Sequence, residues 1–547
     1  MAVRDEETQA ESMPVAERFS PSAVGRWVWL GGFALLAGLL LIRSSFLFTT
    51  PLYETADEAD NSILVMQAQH FTLLHGNYSR EGFWHPGPAY MYVMAAGQWL
   101  FHDATHLVPT PWNGQLIAIM LLNSALVATV VWIVYSWSGS VWSAVAALAL
   151  IVGLATAVDV GVPVVKYHSI LASNWPPDFY VPTFLAFVVA AASVAAGRTS
   201  HLWLLAATGW LLIHGHAAFL FFVPLITAAT AAVALWPARR APWAAIRRFL
   251  RRRRSHYVPA ILISAVFALP IAADLILHWP GQFGQYVRYS SSTKVGHHTV
   301  GQAIRYILWY WAPGPLWLPV LIVGAAVTAA VVVVSVVHSP QGAGSASSPL
   351  RRFLLAAIWI CATTTAGMLY YAMRGIDYLH ATYIGFFYWS VPLLMFVAVA
   401  TGLTATGKGR VITKVAVGGA LVVALAAGAI SPGLRADVHD NEPSLFTTMT
   451  ALAAGAHGHL IVLRVRSGTG FDAGGLVLQA ERLGAHACLA GPYPYVFRVT
   501  SQFLCRPARK STGVTYGLYR LPYKSVAGVR VIARLRYSAL TVASGSP

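Results

Sequence analysis

Residues 57–92 read DEADNSILVMQAQHFTLLHGNYSREGFWHPGPAYMY, and this stretch carries the densest polar chemistry of the chain. It starts with three acids, continues through an Arg-Glu pair and closes on a Trp-His-Pro-Gly-Pro turn. Of the 547 residues, only 10% are charged and 57% are hydrophobic. Where ionisable groups are this scarce, the place where they concentrate is the first candidate for function.

The composition indicates a membrane protein with several spans, because a soluble protein carries about 25% charged residues. Apolar runs long enough for a hydrocarbon core of about 30 Å recur along the chain. The predicted fold class is an all-α polytopic membrane protein of about eleven transmembrane helices with a small C-terminal extracytoplasmic α/β domain. The predicted spans are roughly 24–48, 114–136, 139–157, 179–197, 201–215, 216–236, 257–277, 316–338, 353–373, 379–401 and 411–431.

The net charge of +17 does not indicate a nucleic-acid partner, because the basic residues cluster between two apolar runs. Such a block is typical of a cytoplasmic loop that faces anionic lipid. The attraction to the lipid is worth about 1 kcal/mol for each basic residue near the surface. The arginines of this block are Arg239, Arg240, Arg247, Arg248, Arg251, Arg252, Arg253 and Arg254.

The arginine block also predicts the topology. With a cytoplasmic N-terminus, six spans return the chain to the cytoplasm at residue 237, so the apolar run 86–101 should lie at the interface instead of crossing. Segments 49–113, 158–178, 278–315 and 374–380 then share the external side. We predict a multi-pass protein of the plasma membrane, with the N-terminus cytoplasmic and the C-terminus outside.

Three domains follow from these boundaries: a cytoplasmic tail at 1–24, a membrane domain at 25–431 with an external loop at 49–113, and an external α/β domain at 432–547. Within the last, 459–466 and 529–536 alternate like strands and 474–483 has a helical pattern. Cys488 and Cys505 both lie there, so a disulfide is possible. Cys361 falls in an apolar run and is expected to be inert.

The first candidates for chemistry are Asp57, Glu58 and Asp60, just after the first span. Carboxylates close together near lipid repel one another, which raises a pKa and suits a general base. The same oxygens would also suit a divalent cation. An ordinary solvated loop is the alternative interpretation.

The second group lies at the turn that follows. The two prolines around Gly87 restrict the backbone and hold His85, while Arg80 would pair with a phosphate or with Glu81. Asp178 opens a later span, where an acid also serves as a helix cap. Lys166, Arg288 and Arg374 are further candidate anion contacts on the same side. His214 and His216, in contrast, are expected to be structural hydrogen-bonding groups. No P-loop is present, so no nucleotide cofactor is expected.

These motifs resemble the first loop of the GT-C membrane glycosyltransferases, in particular the protein O-mannosyltransferases and the lipid A aminoarabinose transferases. The resemblance rests on the acids after the first span, the stretch that ends at Gly76 and the His85-Pro86 turn. It extends to 174–224, where Asp178 opens a span. Gly87 departs from the double proline that is usual in the family.

The resemblance implies an inverting glycosyltransferase that takes a sugar from a polyprenyl-phosphate donor and transfers it to a glycan, lipid or protein acceptor. A first-loop acid would be the catalytic base or hold a metal, and Asp178 matches the family's second acid. The Asp-Glu doublet favours Asp57 as the base, whereas the distance to Gly76 favours Asp60. A transporter or channel, or a non-catalytic anchor for the C-terminal domain, are the rival hypotheses. Transporters place ionisable groups near the bilayer midplane, and here they lie at span ends.

Overall fold

The computed structural model describes most of the chain. The ranges are 23–161, 169–291, 296–311, 349–405, scattered positions within 415–426, and 432–466, 470–491, 499–505, 513–523 and 528–543. The predicted span 316–338, most of 411–431, the tail 1–22 and the candidate contact Lys166 lie outside these residues.

The membrane part is an assembly of helices whose apolar sequences are long and punctuated by Pro and Gly. Pro occupies the first turn of several of them, where its missing N–H costs nothing, and Gly139 ends one of these in the left-handed conformation. The helices are α1 (Ala23–Arg43), α2 (Ala56–Gln69), α3 (Ala89–Gly97), α4 (Pro111–Ser138), α5 (Val141–Gly161), α6 (Pro176–Ala195), α7 (Leu202–Gly215), α8 (Phe219–Leu235), α9 (Pro242–Arg252), α10 (Arg254–Leu277), α11 (Gly281–Ser290), α12 (Val300–Trp311), α13 (Pro349–Arg374) and α14 (Ser390–Ala405).

Seven of the described helices are long and apolar enough to cross a membrane, and each coincides with a predicted span. They are Ala23–Arg43, Pro111–Ser138, Pro176–Ala195, Phe219–Ala238, Arg254–Leu277, Pro349–Arg374 and Thr382–Thr404. The predicted span 139–157 forms a shorter apolar helix, Val141–Thr156. The predicted span 201–215 corresponds to α7, whose 14 residues are fewer than a perpendicular crossing needs.

The run 86–101 forms the nine-residue helix α3, continued by a π-helical turn at Gln98–Ala104. This run packs through helix α3 against α2 and α4. Trp99, one of its aromatic residues, is largely exposed. A nine-residue helix is too short to cross the membrane, which agrees with the prediction that this run does not span it.

The core of the bundle surrounds α6, in which nearly every residue is buried. This helix packs against α4, α7, α8, α13 and α14. A helix that is hydrophobic on all sides is covered either by neighbouring helices or by lipid, and α6 is covered by helices. The N-terminus of α6 carries Asp178, so the central helix also delivers one of the predicted site residues.

The C-terminal part is an α/β unit, as expected. Helices α15 (Pro443–Ala456) and α16 (Gly470–Arg482) accompany a five-stranded sheet in the order β2-β1-β3-β5-β4. Strand β1 pairs in parallel with β2 and β3, while β5 pairs antiparallel with β3 and β4. The strands are β1 (Ile461–Val465), β2 (Ala487–Ala490), β3 (Val514–Arg520), β4 (Val529–Arg534) and β5 (Ser538–Ala543).

Helix α2 belongs to two hydrophobic cores at once. Its residues Ala59 and Ile63 are buried in the core of the C-terminal unit. Leu64, Val65 and Ala68 are buried in the core of the membrane bundle. The helix that carries the three acids therefore lies between the two parts of the protein and packs against both.

Cys488 and Cys505 form the disulfide that the sequence left open, 17 residues apart. A cross-link that closes a loop of this length typically adds about 3 kcal/mol of stability. Cys488→Ser/Cys505→Ser should lower the melting temperature of the purified protein in detergent, followed by intrinsic fluorescence. Cys361→Ala, which changes the buried free cysteine, should have a smaller effect. Equal effects of both substitutions would contradict a stabilising role for the disulfide.

Candidate active site

The three acids begin α2 after an unusual turn of the backbone. Thr55 is extended, and Ala56 then adopts the left-handed conformation with φ of 52°. Asp57 and Glu58 follow in the first helical turn, where the exposed N–H groups and the helix dipole favour negative charge. Asp57 is half-buried, whereas Glu58 and Asp60 are buried.

Asp57 is the acid on which side chains from different segments meet. The Tyr78 hydroxyl donates a hydrogen bond to one carboxylate oxygen. The Trp175 indole N–H donates to the other oxygen at 3.2 Å. Both donors orient the carboxylate. Segments that are 118 residues apart thus converge on one group.

A second set of contacts extends this site to Arg80. The Trp175 ring packs on Tyr383 with 5.4 Å between ring centroids. Arg80 donates to the Tyr383 hydroxyl at 3.3 Å and to Asp377, and its Nε lies 3.6 Å from Glu81. A continuous chain of contacts runs from Asp57 through Trp175, Tyr383 and Arg80 to Asp377. This places a carboxylate and a guanidinium at the same end of the bundle.

Glu58 lies in a buried, acidic environment that raises its pKa. Burial raises its pKa well above the usual value, and the surrounding carboxylates raise it further. These are Asp440, Asp57, Asp437 and Glu54, in decreasing order of effect. Its Oε2 is buried without a hydrogen-bond partner in the described part of the chain. Glu58 therefore differs from Asp57, which is half-buried and accessible to an acceptor.

Asp60 faces the C-terminal unit. A Cβ atom added to Gly474 of α16 would lie 2.5 Å from the Asp60 Oδ1 atom. The two aspartates that the sequence could not separate therefore have different surroundings. Asp57 contacts Tyr78 and Trp175, while Asp60 lies against helix α16.

His85 is held by its backbone and packed through its ring. Gly76 N–H donates to the His85 carbonyl and His85 N–H donates to the Asn77 carbonyl, each at 2.8 Å. The Nδ1 atom accepts a hydrogen bond from Ala217 N–H at 3.2 Å, and the ring lies 4.3 Å from that of His216. Burial, with a smaller effect of His216, lowers the pKa of His85 well below its usual value. The structure thus presents His85 as a neutral imidazole.

Gly87 allows the turn to approach His214 closely. A Cβ atom at Gly87 would lie 2.3 Å from the His214 Nδ1 atom. That nitrogen lies 3.3 Å from Ala89 N–H, and the Nε2 atom lies 2.8 Å from the Phe267 carbonyl. An acceptor at Nδ1 and a donor at Nε2 describe one neutral tautomer. His214 is the structural group that the sequence indicated.

The other predicted residues lie around this centre at different distances. Asp178 is fully buried, and its backbone N–H donates to the Trp175 carbonyl at 3.0 Å, so it begins α6 next to the residue that contacts Asp57.

Arg288 is exposed on α11, whose Gln282 and Tyr286 bind the backbone of Trp84. Arg374 is exposed and contacts His297 at 2.6 Å.

The part of the chain that the structure describes holds no group of three or more His, Cys, Asp or Glu side chains arranged for a metal ion. A divalent cation stays a prediction from the sequence.

The contributions of Tyr383 and Asp377 to the site could not be derived from the sequence. Tyr383 is 303 residues from Arg80, and Asp377 is 297 residues away. The topology prediction placed 374–380 on the same side as the first loop, and the contacts of Arg80 confirm that these segments meet. That prediction was the only available signal for Asp377.

Comparison with known proteins adds information on the fold. No protein-family model matches the chain, and no curated protein matches its sequence. The crystal structure of ArnT from Cupriavidus metallidurans bound to undecaprenyl phosphate is similar, with a TM-score of 0.55 at 12% identity. The match covers 94% of this chain and 98% of that one. The chain has the ArnT fold.

This is the GT-C architecture that the first-loop motifs indicated. The ArnT match spans both the membrane bundle and the C-terminal unit, since it covers almost all of this chain. An oligosaccharyltransferase from Archaeoglobus fulgidus is a more distant likeness, with a TM-score of 0.33 and 10% identity. That match covers 85% of this chain and 65% of the other.

The raised pKa of Glu58 leads to a prediction about pH. Folded Glu58 keeps its proton above its ordinary pKa of 4.5, so the native state binds more protons than the unfolded chain and loses stability as the pH rises. Glu58→Gln, which mimics the neutral carboxyl, should melt at a higher temperature than the wild type at about pH 8. The difference should shrink towards about pH 5. A difference that does not change between these values would contradict a neutral Glu58.

Proposed function

We propose that the protein is a membrane glycosyltransferase that moves a sugar from a polyprenyl-phosphate donor to an acceptor hydroxyl, with Asp57 as the general base. The observation that supports it most is the position of Asp57, which receives hydrogen bonds from Tyr78 and Trp175 within an ArnT fold. The bound undecaprenyl phosphate belongs to ArnT. A shared fold makes a donor of the same chemical class the first to test.

The reaction is a single displacement. The acceptor oxygen attacks the anomeric carbon while the carbon–oxygen bond to the phosphate breaks, which inverts the configuration. The acceptor proton passes to Asp57, and the bonding electrons leave with the polyprenyl phosphate. The base must be ionised and within hydrogen-bond reach of the acceptor hydroxyl. The half-buried position of Asp57 meets the need for access, unlike the buried Glu58 and Asp60.

The departing phosphate requires positive charge that is already in place. Arg80 is the best candidate, because it is joined to Asp57 through Tyr383 and Trp175. Its guanidinium also binds Asp377, which holds the group in one orientation. Arg288 and Arg374 are exposed and would attract the anionic donor from further away. Asp178 is fully buried, so it would act by positioning Trp175, whose carbonyl accepts from the Asp178 N–H, and not by contact with the substrate.

A transfer assay with the purified protein in lipid tests this proposal. The donors are polyprenyl phosphates carrying different sugars, and product is followed as loss of the lipid-linked sugar. Asp57→Asn should lower kcat by about 10²–10⁴-fold, because it removes the base. Donor binding, measured separately, should stay within a few-fold of the wild type.

Asp103→Asn is the matched control. Asp103 is an acid of the same loop, and it contacts Gln69 and His102 instead of the site. This variant should transfer sugar at the wild-type rate. Full activity of Asp57→Asn would remove Asp57 as the base, and no transfer by the wild type from any donor would remove the glycosyltransferase assignment.

A further inference from the structure

We propose that the C-terminal unit is a positioning element for Asp57, acting through a clamp formed by Glu54, Thr55, Asp472 and Arg482. The clamp holds the left-handed Ala56 that turns the chain into α2 and presents Asp57 to the site. The effect of the clamp on kcat rests on the proposed function, whereas its effect on the backbone of residues 54–60 does not.

The turn at Ala56 requires support from its surroundings. Ala56 has a φ of 52° and is buried. A residue with a Cβ atom rarely adopts this conformation, and it persists where neighbouring contacts determine it. The residue lies directly before Asp57, so relaxation of its backbone would rotate the first turn of α2 and displace the carboxylate.

Thr55 is held from the C-terminal side of the chain. Its N–H donates to the Asp440 carbonyl at 2.9 Å. Its hydroxyl oxygen lies 3.1 Å from the Phe471 carbonyl and 3.2 Å from Asp472 Oδ1, so the one proton can bind either acceptor. The other Asp472 oxygen accepts from Tyr537 N–H at 2.9 Å and from the Ser538 hydroxyl at 2.6 Å. Asp472 thus connects Thr55 to β5.

Glu54 provides the charged half of the clamp. Its carboxylate is fully buried and accepts two hydrogen bonds from Arg482, at 2.9 Å and 2.7 Å. Such a two-point contact fixes both position and orientation. Because Arg482 is the last residue of α16, this pair attaches α16 to the segment that precedes α2.

Two glycines allow α16 to come this close. A Cβ atom at Gly475 would lie 3.0 Å from the Glu54 carbonyl oxygen and 2.6 Å from Leu445. One at Gly474 would reach Asp60. Packing of Ala59 and Ile63 in the core of the C-terminal unit completes the contact. The acid-bearing turn is therefore built from both parts of the protein.

The first test is amide hydrogen exchange of the full-length protein. Arg482→Met should increase the exchange rate of residues 54–60 at least tenfold, and Arg482→Lys, which keeps one charged contact, should increase it less. Thr55→Val removes the hydroxyl contacts without a change in size and should also increase it. Arg464→Met is the matched control, because Arg464 is exposed on β1. Unchanged exchange at 54–60 in Arg482→Met and Thr55→Val would overturn the clamp.

The second test separates positioning from general loss of structure. With the transfer assay, Arg482→Met should lower kcat at least tenfold and leave KM for the donor within threefold. Ala56→Gly should restore part of kcat in the double variant, because glycine adopts the left-handed conformation without strain. A loss that Ala56→Gly does not restore would assign Arg482 a general structural role and overturn its positioning role. If the wild type transfers no sugar while exchange responds as expected, the proposed function fails and the clamp stands.

A separate observation concerns helix α9 at the opposite end of the bundle. Helix α8 begins near His216, which contacts His85, and α10 returns towards α11, which contacts Trp84. The helix between them, α9, therefore lies at the end away from the candidate site. Its side chains all retain exposure, with Trp243 at 73% and Leu250 at 45%.

The sequence of α9 separates into two faces. One face holds Pro242, Trp243, Ile246, Phe249 and Leu250, and the other holds Arg247, Arg248, Arg251 and Arg252. Apolar residues at this spacing form one stripe along a helix. Because candidate spans end at Ala238 and start at Arg254, both ends of α9 are tied to the membrane surface. We infer that α9 lies in the surface plane, with its apolar face in the lipid and its arginines on anionic headgroups.

A fluorescent label tests this inference in nanodiscs. The native cysteines do not interfere, because Cys361 is buried and the other two form a disulfide. The fluorescence emission of a polarity-sensitive label at Trp243→Cys should shift to the blue in phosphatidylglycerol relative to phosphatidylcholine. Replacement of the four arginines of α9 by Gln should abolish this shift. A label at Ala244→Cys, on the arginine face, should stay in water. The inference would be overturned if the emission of the label at residue 243 reports water in both lipids. It would also be overturned if the emission shifts only when another protein is added.

Discussion

The structure depends on the position of α2 between two hydrophobic cores. Ala59 and Ile63 face the C-terminal unit, while Leu64 and Val65 face the membrane bundle. A helix buried on two sides cannot rotate without exposing apolar surface from one of them, and each exposed square ångström costs about 25 cal/mol. At the N-terminus of α2, Asp57 lies outside both cores and contacts Trp175. Packing of ordinary apolar side chains thus sets the orientation of the acid.

Burial divides the acids near α2 into groups with different chemistry. Glu54 is buried and pairs with Arg482, which binds both of its oxygens. Glu58 is buried among other carboxylates and carries a raised pKa. An unpaired charge in the interior is expensive, so the protein either pairs it or neutralises it. Asp57, half-buried and bound by two neutral donors, is the one that combines access with a defined orientation.

Much of the fold could be predicted from the sequence, because span length and hydrophobicity are local properties. The predicted strand 459–466 contains β1, and the predicted helix 474–483 overlaps α16. The boundary at residue 432 assigned all of α2 to the membrane part, although Ala59 and Ile63 pack in the C-terminal core. A single helix of mixed composition does not reveal which of its faces a distant segment will cover.

The sequence by itself determined that the chain is a helical membrane protein with an α/β C-terminal unit and that its polar chemistry lies after the first span. It also placed the first loop and residues 374–380 on the same side of the bundle, where they meet. Only the tertiary structure decided that Asp57 contacts Trp175 while Asp60 faces Gly474. It also decided that Glu54 pairs with Arg482, 428 residues away. The physical reason is that hydrophobic periodicity is read along the chain, whereas a side-chain contact depends on how separate elements pack.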